Sequence, residues 1–215
     1  MSTTEAVPSR RISIGRCFDD ALAVYQRNFL ALFLAAILVD ILTALTLLIL
    51  AGPLFGGVCL MTMRGLRGER VRLGDLFGAF NRFWPLLGLF FLTFIAVLAG
   101  LVFLIIPGLI LATLWLYPFY LVVDKQMGVF ESLGESTRLV VNGGFWRHFG
   151  LVALGLALAI GPEFIPVVGI VIGLLLSPLG WLIVASAYVQ LVDPERTPPA
   201  ELASEPAEPP IAPDA

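Results

Sequence analysis

The sequence predicts an all-α integral membrane protein. It would have about six transmembrane helices in three Pro/Gly-turn hairpins, each preceded by a cytoplasmic amphipathic interfacial helix. Three observations predict it. First, hydrophobic residues make up 59% of the 215 and charged residues only 13%, with a mean hydropathy of +0.95. A soluble domain averages roughly 45–50% apolar and about 25% charged, and a chain this short has too little interior to hide the excess. Second, three apolar stretches, Phe29–Met63, Pro85–Val123 and Phe149–Val192, run for 35, 39 and 44 residues with Asp40 and Glu163 as their only charges. Third, all 13 Lys and Arg residues lie outside the hairpin turns.

Residues 1–13 read as a flexible N-terminus. The segment up to Asn28 carries Arg10, Arg11, Arg16 and Arg27. The first apolar run starts too late and runs too long for the h-region of a signal peptide, so it reads as a first membrane helix. A spanning helix needs about 20 residues, so each stretch holds two. Each is interrupted by Pro and Gly: Ala51-Gly52-Pro53, Pro107-Gly108, and Gly161-Pro162 through Pro166. Helices are expected at about 29–51, 54–64, 85–106, 109–123, 146–161 and 167–192. The second is short, either re-entrant or extended by the Arg-containing turn after it. Pro118 should kink the fourth and Pro178 the sixth.

Arg64, Arg67, Arg70, Arg72 and Arg82 lie between the first two hairpins, and Lys125, Arg138 and Arg147 between the second and third. Cationic loops stay inside, which puts both termini in the cytoplasm. The segments before each hairpin carry apolar residues at helical spacing: Phe18, Ala21, Leu22 and Tyr25; Leu73, Leu76, Phe77 and Phe80; and, more weakly, Phe130, Leu133, Gly134 and Thr137. Acids come early (Asp19 and Asp20, Asp75, Glu131) and a cation later (Arg27, Arg82, Arg138), as the helix dipole favours. Each segment closes on Asn and an aromatic. From that Asn to the turn Pro the separations are 25, 26 and 24 residues (28→53, 81→107, 142→166). The membrane domain, 14–192, thus reads as a threefold internal repeat with units at about 14–66, 70–124 and 128–192. Residues 193–215, with seven Pro and six acids, read as a disordered acidic tail.

Several classes of function are excluded. A net charge of −3 gives no basic nucleic-acid surface. Cys17 and Cys59 have neither the spacing nor the context of a bridge or metal site. A single histidine, His148, removes most zinc sites and the usual Ser-His or Cys-His pairs. No cofactor is indicated. Asp40, near the centre of the first expected helix, is the sharpest intramembrane polar site. A carboxylate there costs at least about 2.5–3.5 kcal/mol. It is a proton or ion relay, a site for a cationic ligand, or a protonated acid bonded to a neighbouring helix, with Thr43, Thr46, Thr93, Thr113 and Tyr117 as nearby hydroxyls. Arg64, Arg67, Arg70, Arg72 and Arg82 form the candidate headgroup site, since anionic lipid attracts such residues at about 1 kcal/mol each. Positive-inside sorting alone also accounts for them. Glu163 reads as a solvated turn residue. Gly150, Gly155, Gly161, Gly169, Gly173 and Gly180 read as helix-packing positions in the last hairpin.

Several strings are familiar together: Leu73-Gly-Asp75-Leu-Phe77 with Phe80 and Phe83-Trp84-Pro85; Ile105-Ile-Pro107-Gly108; Pro118 with Val122-Val-Asp124; Glu131-Ser-Leu-Gly-Glu-Ser136; and Phe145-Trp146-Arg147. Over residues 14–192 they resemble a broad bacterial group of polytopic membrane proteins. That group includes the membrane domain of some glycerophosphodiester phosphodiesterases and related inner-membrane proteins. The resemblance implies a bacterial inner-membrane location but no catalytic residue. The phosphodiesterase domain is a barrel of roughly 250 residues with no counterpart here. The expected function is therefore non-catalytic: organising or sensing anionic lipid, or holding a membrane-protein partner. The alternative is a small-solute or lipid transporter using Asp40. A single cysteine placed near Gly108, in a chain lacking Cys17 and Cys59, should react with an impermeant maleimide from the extracytoplasmic side only. Labelling from the cytoplasm alone would refute this topology.

Overall fold

The computed structural model describes residues 12–46, 49–160 and 168–193. Among them every element is helical. The order is α1 (Ile14–Arg27), α2 (Phe29–Leu45), α3 (Ala51–Leu66), a 3-10 helix (Leu73–Arg82), α4 (Phe83–Phe103), α5 (Ile105–Leu114), α6 (Pro118–Asp124), α7 (Val129–Gly143), α8 (Phe145–Ile160) and α9 (Val168–Val192). Among the described residues, three helical runs are long and apolar enough to cross a membrane: Leu73–Phe103, Ile105–Asp124 and Ile172–Val192. The bent pair α1 and α2 would make a fourth. The Gly161–Pro166 turn with Glu163, Arg10, Arg11, Arg196 and the tail beyond Asp193 lie outside the described residues.

The prolines mark helix starts rather than turns. Pro53, Pro85 and Pro107 each occupy the third position of a helix (α3, α4 and α5), and Pro118 the first position of α6. Those positions need no N–H donor, and the fixed φ of proline suits them. The chain therefore reverses two or three residues earlier than Pro and Gly suggest. At the second hairpin the break is Leu104, extended at φ −158° and ψ 119°. The first helix stops at Leu45, and the second, at 16 residues, is longer than expected.

Pro118 splits the fourth predicted helix in two. It has no N–H for the carbonyl of Leu114, which instead accepts the Ser136 hydroxyl at 2.8 Å. Ser136 Oγ in turn accepts the Tyr117 N–H at 3.1 Å. Pro178 is retained inside α9. Its missing donor leaves the carbonyl of Leu174, and the Ser177 hydroxyl takes it at 3.3 Å. In both cases a serine supplies the donor that proline lacks, as a helix in lipid requires.

The helices sort into inner and outer sets. Thirteen of the sixteen residues of α3 are buried, against three of seventeen in α2 and two of twenty-one in α4. The main apolar core joins α3, the Tyr117–Tyr120–Leu121 segment and the C-terminal half of α9, with Cys17, Ala21 and Val24 of α1 set against them. Glycine permits the closest approaches. A Cβ on Gly57 would lie 1.8 Å from the Leu76 carbonyl oxygen, and one on Gly52 2.4 Å from that of Leu86. Gly100 and Gly108 bring α4 and α5 together in the same way, whereas Gly155 and Gly180 of the last hairpin face open space. Gly57→Ala is expected to destabilise the chain by about 1–3 kcal/mol through overpacking. Gly155→Ala should be neutral or stabilising by about 0.5–1 kcal/mol. Thermal unfolding in detergent separates the two.

Candidate functional site

The five arginines between the first two hairpins do not act as one patch. Arg64 and Arg67 lie at the end of α3, Arg70 and Arg72 in the following loop, and Arg82 at the end of the 3-10 helix. Arg67 turns towards the ends of the other inner helices. Its Nη1 and Nη2 donate to the two carboxylate oxygens of Asp124 at 2.7 and 3.0 Å. Its Nε and Nη2 donate to Asp193 at 3.2 and 3.0 Å. Arg67 follows α3, Asp124 closes α6 and Asp193 follows α9. One guanidinium therefore ties the C-terminal ends of three inner helices. The hydrogen bonds that Arg67 donates to Asp124, partly offset by burial, raise the pKa of Arg67 above its ordinary value. Tyr188 donates its hydroxyl to Asp124 at 3.0 Å, extending the network into a ring cluster. There Tyr120 stacks on Tyr188 at 5.2 Å, and Tyr117 lies between Tyr188 and His148.

Arg64 and Arg82 face a different space. Arg64 pairs with Asp75, whose other oxygen accepts the Arg72 N–H and so caps the 3-10 helix. Arg82 Nε donates to Gln126 Oε1 at 2.5 Å, and Gln126 Nε2 donates to the Val123 carbonyl at 3.0 Å. Gln126 is held at φ +57°, a conformation uncommon for a residue with a Cβ. Between these groups is an open cleft of about 200 Å³, with Leu60 and Val123 as apolar wall and Arg64, Asn81, Arg82 and Gln126 as polar lining. Among the described residues, Arg70, Arg72 and Arg82 form no ion pair.

The amphipathic segments surround this end. The axes of α1 and α2 meet at 93°. α1 buries Cys17, Asp20, Ala21 and Val24, and leaves Ile14, Phe18 and Leu22 exposed. The single apolar face expected of Phe18, Ala21, Leu22 and Tyr25 is therefore two faces. The inner one is stitched to α9: Ser186 donates to Asp20 at 3.2 Å, Gln190 to Cys17 Sγ at 3.3 Å, and Tyr25 to the Leu175 carbonyl at 2.8 Å. At the start of each outer helix the second residue points outward: Leu30 is 67% exposed, Trp84 78% and Trp146 79%.

Asp40 is exposed on α2, and no other described residue hydrogen-bonds or pairs with it. Thr46, Thr93 and Thr113 spend their hydroxyls on carbonyls of their own helices, and Tyr117 is buried. Because α2 ends at Leu45, Asp40 sits between one and two turns from the end of the helix and not at its centre. Among the described residues no three His, Cys, Asp or Glu side chains are grouped to hold a metal ion. Cys17 and Cys59 are free thiols.

Sequence reasoning missed Asp124, Asp193 and Gln126. A signal for the first two exists. An acid at the C-terminal end of an apolar helix opposes the dipole and calls for a cation. No family model matches the chain, and no solved structure does. Arg67→Gln leaves Asp193 without its cation and Asp124 with only Lys125, at 4.0 Å. It is expected to cost about 2–3 kcal/mol, below the range for fully buried pairs because the site is partly exposed. Arg70→Gln should stay within about 0.5 kcal/mol. Denaturation of both variants in one detergent checks the ranking.

Proposed function

We propose that this chain is a non-catalytic, multi-pass protein of the bacterial inner membrane, one that gathers anionic lipid at its cationic, cytoplasmic end. In this reading six helices span the bilayer as three hairpins, both termini are cytoplasmic, and three units repeat the same design. The helix starts support the repeat. Outer helices begin at Phe29 and Phe83, and their inner partners 22 residues later in each case, at Ala51 and Ile105; a third outer helix begins at Phe145. The exposed second residue of each outer helix agrees. So does the acid that reaches back at the third position of the 3-10 helix and of α7, Asp75 to Arg72 N–H and Glu131 to Gly128 N–H. The family resemblance points the same way.

The observation that carries the lipid reading is α1. A helix at a right angle to its neighbour, buried on one apolar face and exposing Ile14, Phe18 and Leu22 on another, suits the plane of the interface. Trp84 and Trp146 suit the headgroup level. Three arginines without acidic partners then face the anionic leaflet. A transport path using Asp40 would have to run along the outer face of α2.

The test is lipid enrichment. The full chain is reconstituted in mixed phosphatidylglycerol and phosphatidylcholine vesicles and extracted with its surrounding lipid by a disc-forming polymer. The extracted lipid should be richer in phosphatidylglycerol than the bulk. Neutralising Arg70 and Arg72 together should reduce the enrichment at least about fivefold, since each is worth about 1 kcal/mol near an anionic surface. Lipid drawn at the bulk ratio overturns the reading.

A further inference from the structure

We propose that the cleft between α3, the 3-10 helix and the end of α6 with Gln126 is a discrete phosphate site, holding one phosphodiester headgroup between Arg64 and Arg82. The proposal rests on the lipid reading above and narrows it from a charged surface to one pocket.

Four features of the cleft argue for it. It is large enough for a phosphate group, at about 200 Å³, and it is open on one side. Two guanidinium groups line it, and each keeps donors. Arg64 uses Nη1 on Asp75 and turns Nε towards Glu69, leaving Nη2; Arg82 uses only Nε, on Gln126, leaving Nη1 and Nη2. Planar guanidinium forks match phosphate oxygens in pairs, which makes the recognition geometric as well as electrostatic. The wall is amphipathic, with Leu60 and Val123 beside Arg64, Arg82 and Asn81. That suits a glycerophosphate whose polar end is charged and whose glycerol end is not.

The fourth feature is Gln126. Its φ of +57° is a conformation that costs energy in a non-glycine residue. Here it lets the amide bridge Arg82 and the Val123 carbonyl. The bridge fixes the guanidinium of Arg82 through Nε, so that the two Nη groups remain for a ligand. Gln126 is thus a positioning residue. Arg82 also immediately precedes Phe83 and the exposed Trp84, so the cleft opens at the level where headgroups lie. The other arginines do not share the site. Arg67 is consumed by Asp124 and Asp193, and Arg70 and Arg72 do not line the cleft.

The experiment is native mass spectrometry of the full chain from micelles loaded with equal phosphatidylglycerol and phosphatidylcholine. One phosphatidylglycerol should survive collisional activation that strips phosphatidylcholine. Arg82→Gln should lower that retained fraction at least about tenfold, as expected for a charge-assisted hydrogen bond lost. Arg82→Lys, which keeps the charge but loses the fork, should fall between the two. The double variant Arg70→Gln with Arg72→Gln should retain the lipid while losing surface enrichment. Unfolding temperature reports whether each variant is folded. Arg82 is used because Arg64 also holds the cap of the 3-10 helix. Retention unchanged in Arg82→Gln, or lost equally in the Arg70/Arg72 variant, overturns the site. Saturable binding of inorganic phosphate, abolished by Arg82→Gln, with no lipid retained, keeps the site and assigns it to free phosphate. If enrichment persists without any retained lipid or phosphate, only the pocket fails. If enrichment and retention are both absent, the lipid reading fails with it.

Discussion

The Arg67 guanidinium is the point on which the inner bundle closes. α3, α6 and α9 bring their C-terminal ends together, and each end carries unsatisfied carbonyls with partial negative charge. Two of those ends also carry a carboxylate, Asp124 and Asp193. Left alone, that concentration of negative charge would push the helices apart. A guanidinium answers it because five donors in one plane reach both acids at once. An ammonium would give the charge without the bridging geometry. The position also moderates the cost. Arg67 and Asp193 remain about a third exposed at the side chain, so water shares in their solvation, whereas Asp124, at 10%, takes both forks of the cation and the hydroxyl of Tyr188.

Closure at one end leaves the rest of the bundle to be held without hydrophobic drive, because lipid is as apolar as the side chains it would replace. Two devices serve. Gly52, Gly56 and Gly57 let α3 touch the backbone of the 3-10 helix and the side chain and backbone of α4, so that dispersion acts at the shortest range. The hydroxyls of Ser136 and Ser177 donate to the carbonyls that Pro118 and Pro178 strand. Ser136 does more than fill a gap. By accepting the Tyr117 N–H as well, it pins the break between α5 and α6 against α7 and turns Tyr117 into the ring cluster beneath Arg67. The proline that looks like a kink is thus the reason the aromatic core forms where it does.

What could be read from the residues alone follows the range of the physics. Composition, apolar length and proline are local signals, and they place most helix ends, though not that of α2, to within a few residues. At both described turns the difference has one sense: Pro53 and Pro107, which read as the turn, are each the third residue of the helix after it. The division of the arginines was not legible. Arg64 and Arg67 are three residues apart on one helix and look alike. They part company because the acids of Arg67 lie 57 and 126 residues along the chain, while that of Arg64 lies 11 away. Asp40 reads as central to its helix but lies nearer the end, because α2 ends six residues before the expected boundary and no sequence feature before Gly52 marks that end. The two-faced character of α1 was hidden because Phe18 and Ala21 both fit one helical stripe, and only the position of α9 decides which of them is covered.

The same division changes how the charge of this end is to be weighed. Five arginines in one loop region suggest a strong attraction to an anionic surface. Two of them are already answered: Arg67 by two carboxylates, and Arg64 by Asp75 with Glu69 nearby. Most of the field of those pairs cancels within a Debye length of about 8 Å. Of these five, only Arg70, Arg72 and Arg82 have no acid among the described residues, and they carry this region's share of the attraction. Counting cations is enough for topology, because insertion reads them before the fold exists. For recognition, partners must be subtracted first, and what remains after subtraction is a small number of oriented donors. A surface with few free charges gains little from diffuse attraction. Its selectivity has to come from geometry, and at this end of the molecule geometry is best defined where Gln126 holds Arg82 in place.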